Sequence, residues 1–176
     1  METITRPVTG LFSDRDSAER AYRSISDRGY SHDDVNLVMS DETRKRHFSA
    51  SPASRETELG HKAAEGAGIG GAIGGSLGAI AAAIAAVGTT IALPGLGLVI
   101  AGPLAAAIAG AGAGAATGGI VGALIGWGIP EERVKEYDQG IRDGGILMAV
   151  RPRNEEDASF FETAWKSKSG GAKVYR

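Results

Sequence analysis

Hydrophobic and polar positions divide the chain into two patterned flanks and an uncharged centre. In the first flank, Val8-Thr9-Gly10-Leu11-Phe12 is apolar-rich and predicts a strand. Ala18, Ala21, Tyr22 and Ile25 then recur at i, i+3, i+4 and i+7, which is one face of a helix. Ser13, with Asp16 three residues on, is the helix-start signal, because a hydroxyl there accepts an orphan backbone N–H. Gly29 supplies a left-handed stop. After a polar turn, Val35-Asn36-Leu37-Val38-Met39 predicts a second strand, completing a βαβ unit.

The second flank behaves similarly. Pro130 suits a first helical turn, Glu131 and Glu132 suit its positive dipole end, and Gly144 suits its exit. Val134, Tyr137 and Ile141 form the apolar stripe of that helix. A strand follows at Ile146-Leu147-Met148-Ala149-Val150, then an Asn154-capped helix carrying Ala158, Phe161 and Trp165. Lys173-Val174-Tyr175 predicts a short final strand. Setting Ala18 against Ala158 also places Ala21 on Phe161 and Ile25 on Trp165, a weak internal repeat. Neither half has enough apolar surface to fold alone. Together they predict an α+β domain of ferredoxin-like character, a four-stranded sheet with helices on one face. Residues 1–39 and 129–176 are its two halves, and residues 40–65 are a polar linker, with a short helix conceivable before the glycine region.

Residues 66–128 are of another composition. Nineteen of the 27 glycines lie there, and residues 66–130 contain no Asp, Glu, Lys, Arg or His. The sequence Gly66-Ala67-Gly68-Ile69-Gly70-Gly71 satisfies G-x-G-x-x-G. A dinucleotide site, however, needs a strand before the first glycine and a carboxylate about 20 residues on. His61–Glu65 is helical material and Ala86–Thr90 holds no acid.

A period of four is the stronger pattern. Gly66, Gly70, Gly74 and Gly78 continue into Ala82 and Ala86, while Gly102 and Ala106 lead into Gly110, Gly114, Gly118, Gly122 and Gly126. Every fourth residue traces a ridge along one helix side. With no side chain on that ridge, a neighbouring backbone can approach closely. Each glycine in a water-exposed helix costs about 1 kcal/mol relative to Ala, so such helices need tight partners.

As helices, residues 66–87 and 104–126 would span roughly 33–35 Å against a hydrocarbon thickness of about 30 Å. The expectation is a glycine-zipper helical hairpin in a bilayer, with Ile69, Ile73, Leu77, Ile80 and Ile84 covering its other faces. Lys62, Arg133 and Lys135 flank the spans, which places both flanks in the cytoplasm. Trp127 suits an interface at the end of the second span. Residues 88–103, with a Pro94-Gly95 turn, read as a re-entrant or interfacial element, or equally as the wall of a subunit contact. Both runs are poor in Leu and Phe, which keeps open a soluble assembly with the glycine helices buried between subunits.

The layout resembles a bacterial family of general stress and low-temperature-induced proteins, heat-induced stress proteins of the YflT type among them. The likeness rests on "VTGLFSDRDSAERAYRSISDRGYSHDDVNLV" and on the glycine hairpin with "LPGLGLVIAGPLAAAIAGAGAGAATGGIVGALIGWGIPEERVKEYDQGIRDGGILMAV". The resemblance implies stress association and membrane or assembly behaviour, and brings no catalytic residues.

Nothing else adds chemistry. A net charge of −2 gives no reason to expect nucleic acid. The absence of cysteine removes disulfides and thiolate metal sites. His32, His47 and His61 lack ligand spacing. Arg44, Lys45, Arg46 and His47 beside Asp41 and Glu42 read as a solvated cluster, with anionic lipid as the alternative contact. The expectation is therefore a protein without enzymatic activity, cofactor or metal, partnered by itself and a bilayer. A ligand-sensing ferredoxin-like module remains a further alternative.

Overall fold

The computed structural model describes residues 6–48, 80, 90–93, 97–110, 121–122, 124–125, 128–168 and 173–176. Four strands lie where patterning places them: β1 (Val8–Phe12), β2 (Val35–Ser40), β5 (Ile146–Val150) and β6 (Lys173–Tyr175). Two more, β3 (Thr90–Leu93) and β4 (Leu98–Ala101), come from the stretch between the glycine runs. The helices are α1 (Arg15–Asp27), α2 (Asp41–Phe48), α3 (Pro103–Gly110), α4 (Glu131–Arg142) and α5 (Glu155–Lys168).

The six strands form one sheet in the order β3-β4-β2-β5-β1-β6, and every neighbouring pair is antiparallel. β1 lies between β5 and β6, and β5 lies between β1 and β2. The strands of one half therefore hydrogen-bond only to strands of the other half or of the central stretch. That interleaving is why neither half has a sheet of its own. A long insertion between the halves is compatible with it, because loop-closure entropy grows only logarithmically with length.

Both faces of the sheet are covered. On one, Val35, Leu37 and Met39 of β2 and Ile146, Met148 and Val150 of β5 meet α1 and α5. The repeat is visible in this layer, since Ala18, Ala21 and Ile25 of α1 and Ala158, Phe161 and Trp165 of α5 are all buried. Phe12 and Trp165 meet edge to face at 5.7 Å, and Tyr30 and Phe161 at 5.1 Å. The expectation of helices on one face is corrected by the second layer. There Val134, Tyr137 and Ile141 of α4 close over Val38, Ile100 and Leu147, joined by Leu104 and Ala105 of α3. β2 and β5 are accordingly near-continuous apolar runs, as strands buried on both sides require.

Local ends follow side-chain chemistry. Asp14, not Ser13, caps α1: its Oδ1 accepts the Ser17 N–H at 2.8 Å and its Oδ2 accepts the Ser17 hydroxyl at 2.8 Å. The carboxylate wins because it satisfies two donors with a charged acceptor. Gly29 ends the helix region at φ +78°. Asn154 Oδ1 accepts the Asp157 N–H at 2.8 Å to open α5. The first third of the expected linker is α2, whose Thr43 and Phe48 are buried. Its basic cluster is spent internally, with Arg44 and Lys45 on Asp41 and Arg46 on Glu42.

Residues 88–103 differ most from expectation. Instead of a re-entrant element, their described residues, 90–93 and 97–103, contribute the antiparallel pair β3–β4, whose inner strand pairs with β2 in the register Leu37↔Ala101 to Ser40↔Leu98. Gly102 follows at φ +104°, where a Cβ would overlap the Val35 carbonyl oxygen. The Asn36 side chain then accepts the Leu104 N–H at 2.7 Å, so β2 caps the first turn of α3. Gly102→Ala should lower stability by about 1–3 kcal/mol, measured as a reduced urea midpoint. An unchanged midpoint would contradict this docking.

Candidate functional site

The features expected to carry function are the glycine ridges, and the structure describes their roots on the body. Gly66, Gly70, Gly74, Gly78, Gly114, Gly118 and Gly126 lie outside the described residues, as do Lys62 and Trp127. Gly110 is the last residue of α3. Gly122 sits in a helical turn, exposed, and an added Cβ would meet no described atom within 4 Å. Two residues on, Leu124 is buried in the α4 layer, whereas Ile125 is 43% exposed. This turn thus grips the body through Leu124 and leaves its ridge glycine uncovered by any described residue.

The first run is rooted differently. Ile80, in the middle of the segment read as the first span, is fully buried in the layer formed by α1 and α5. Its N–H is donated to the Glu19 carboxylate at 3.3 Å. Glu19 lies on α1, is itself buried, and stands 3.9 Å from Arg15 Nε. A buried carboxylate needs charged and hydrogen-bonding partners to offset lost hydration. Glu19 finds both in this corner.

At the opposite end of α1, a polar network joins the halves. Asp157, at the start of α5, accepts the Tyr30 hydroxyl at 2.6 Å and Arg28 Nε at 2.7 Å. Tyr30 in turn accepts the Arg153 N–H at 2.8 Å, and the Arg153 guanidinium lies 4.0 Å over the Tyr30 ring. The Tyr30 hydroxyl, and with it Arg28, holds the Asp157 carboxyl below its ordinary 3.8. Burial first, then Asp157, pushes the Tyr30 hydroxyl up to about 12. Every group has a structural partner, and the network reads as a latch between α1 and α5.

Among the described residues, no cluster of three or more His, Asp or Glu could hold a metal ion. Among the same residues, no helix is long and apolar enough to cross a membrane. β4, from the stretch between the two glycine runs, shares a sheet with strands of both flanks. Sequence reasoning missed Glu19 and Asn36, although a Glu beside Ala18 on an apolar helix face and an Asn inside an apolar strand were visible signals. No family model, curated protein or solved structure matches the chain.

Two outcomes follow from these roots. Asp157 has a depressed folded value, so its contribution is complete above its unfolded value and disappears as pH falls through the folded one. Tyr30→Phe should destabilise the protein by about 1–3 kcal/mol at neutral pH and flatten that acid-side loss. A pH–stability profile parallel to wild type would contradict the latch. Glu19→Ala should accelerate amide hydrogen exchange at Ile80, and unaltered protection there would show that the carboxylate does not hold the run.

Proposed function

We propose that the protein is a non-enzymatic, self-associating scaffold in which an α+β body presents two glycine ridges to further copies of the chain. The order β2-β5-β1-β6, with α1 and α5 as crossovers packed on one face, supports reading the flanks as a ferredoxin-like unit. The observation that carries the proposal is the fourfold glycine spacing of two uncharged runs, with Ile80 of the first and Leu124 of the second buried in the layers that cover one sheet. Helices so rich in glycine gain stability only where another backbone packs closely against them. Ridges anchored to one body at Ile80 and Leu124 would be presented together, which suits repeated assembly.

A second reading makes the bilayer the medium of that packing. The absence of charge from residue 66 to residue 130 favours it. In this version both runs enter and leave on one side, keeping the flanks and the β3–β4 pair together in the cytoplasm. The resemblance to general stress proteins supports a role under stress in either medium.

Carbonate-washed membrane fractionation followed by size-exclusion chromatography separates the two. Soluble assembly predicts a large particle in the supernatant, whereas bilayer packing predicts retention in the washed pellet. Gly114→Leu and Gly118→Ile should shift the oligomer towards the single subunit in whichever medium it occurs. An oligomer of unchanged size in both variants would refute packing through the ridges.

A further inference from the structure

We propose that the cleft between β1, the Gly128–Pro130 turn and the start of α4 is a binding site for a phosphate-type oxyanion. The cleft encloses about 240 Å³, and Arg6, Thr9, Pro130, Arg133 and Arg176 are among its lining residues. No carboxylate side chain among the described residues lines it. The acid one turn along α4, Glu136, is already engaged by Lys173 and by the Tyr175 hydroxyl at 2.9 Å.

The arginines differ in what they can offer a ligand. The Arg176 guanidinium is drawn away to Glu155 and Glu162 on the acidic side of α5. Arg133 is held in place from two directions: its guanidinium lies 4.8 Å over the Tyr175 ring, and Nη1 donates to the Arg176 main-chain oxygen at 3.2 Å. Its remaining N–H groups stay available, in a plane already ordered by stacking. Arg6 is exposed and has no ion-pair partner among the described residues. With Arg6 and Arg133 both lining one small cleft, two guanidinium groups are near enough to share a phosphate group, whose oxygens Arg binds in bidentate fashion.

Among the described residues, no side chain lining the cleft carries a negative charge. Thr9 Oγ1 and the Tyr137 hydroxyl are 2.6 Å apart, buried, and satisfy one another. Burial pushes the Tyr137 hydroxyl up to about 12, so it stays neutral. Gly128 also closes the second glycine run, which makes a lipid headgroup phosphate one source of the oxyanion and a free phosphate ester the other. Both present the same chemistry to Arg6 and Arg133.

The test titrates the full chain with inorganic phosphate by calorimetry. In parallel, it measures co-sedimentation with vesicles of equal parts phosphatidylglycerol and phosphatidylcholine, and with phosphatidylcholine alone. Arg6→Gln, Arg133→Gln and the remote, exposed Arg23→Gln are compared with wild type. Saturable phosphate binding should weaken about tenfold or more in Arg6→Gln and Arg133→Gln and persist in Arg23→Gln. Retention on the anionic vesicles that follows the same pattern would identify the lipid as the source. Phosphate binding without such retention would identify a soluble ester. Arg6 lies outside the core, so its variant keeps the test decisive even where Arg133→Gln perturbs folding. No saturable binding of either probe, or binding lost equally in Arg23→Gln, would overturn the site.

Discussion

The backbone pairing of Leu98–Ala101 with Leu37–Ser40 is the contact on which the architecture turns. Without it, β2 would be an edge strand, and the centre of the chain would be joined to the flanks only through its two ends. With it, the chain between the glycine runs is a member of the same sheet as residues from both termini. Gly102 and Asn36 secure the junction, the first by allowing the chain to pass the Val35 carbonyl and the second by capping α3. These are short-range steric and hydrogen-bonding constraints, and they keep Leu98–Ala101 in one sheet with strands of both flanks.

Interleaving of the two halves produces a body that is cohesive despite the long insertion. β1 cannot pair without β5 and β6, and β5 cannot pair without β1 and β2. The aromatic layer of Phe12, Tyr30, Phe161 and Trp165 unites the same halves on one face, and the Tyr30–Asp157–Arg28 latch unites them at its rim. Trp165 also donates to Ser24 at 3.2 Å, so its indole is satisfied inside the core. The two halves thus form one body, relative to which the proposed ridges and the proposed arginine cleft are placed.

Much of the body was legible in the sequence. β1 and β5 carry strong apolar runs, α1 has a clean helical stripe, and Gly29 and Gly144 mark exits that the backbone confirms with positive φ. The second layer was also written there, in the apolar run Ile146–Val150 and in Val35–Met39, apolar but for Asn36, as strands covered on both faces require. The β3–β4 pair was harder to see. Thr90–Leu93 and Leu98–Ala101 are short and uniformly apolar, and periodicity cannot separate such runs from helical or membrane segments. The Pro94-Gly95 dipeptide between them, a turn signal in the sequence, was the cue that could have separated them. Ser13 and Asp14 compete one residue apart for the same cap, and the winner depends on reach and charge rather than on spacing. The candidate ridge was legible as a pattern, while its roots at Ile80 and Leu124 depend on tertiary contacts that no local window contains. Gly122 joins the two levels, being a ridge position by spacing and an uncovered one by geometry among the described residues.

Disulfide trapping across the β2–β4 pair tests this architecture most directly, because the chain has no cysteine to compete. Met39 and Val99 are register partners, and directly paired antiparallel residues lie about 4.5–5.5 Å apart between Cα atoms, within the range a disulfide bridges. In the double variant Met39→Cys with Val99→Cys, mild oxidation of the assembled protein should give a bond within one chain, seen as a faster-migrating monomer on a non-reducing gel. Thiols that stay reduced, or that cross-link only between chains, would contradict a shared sheet.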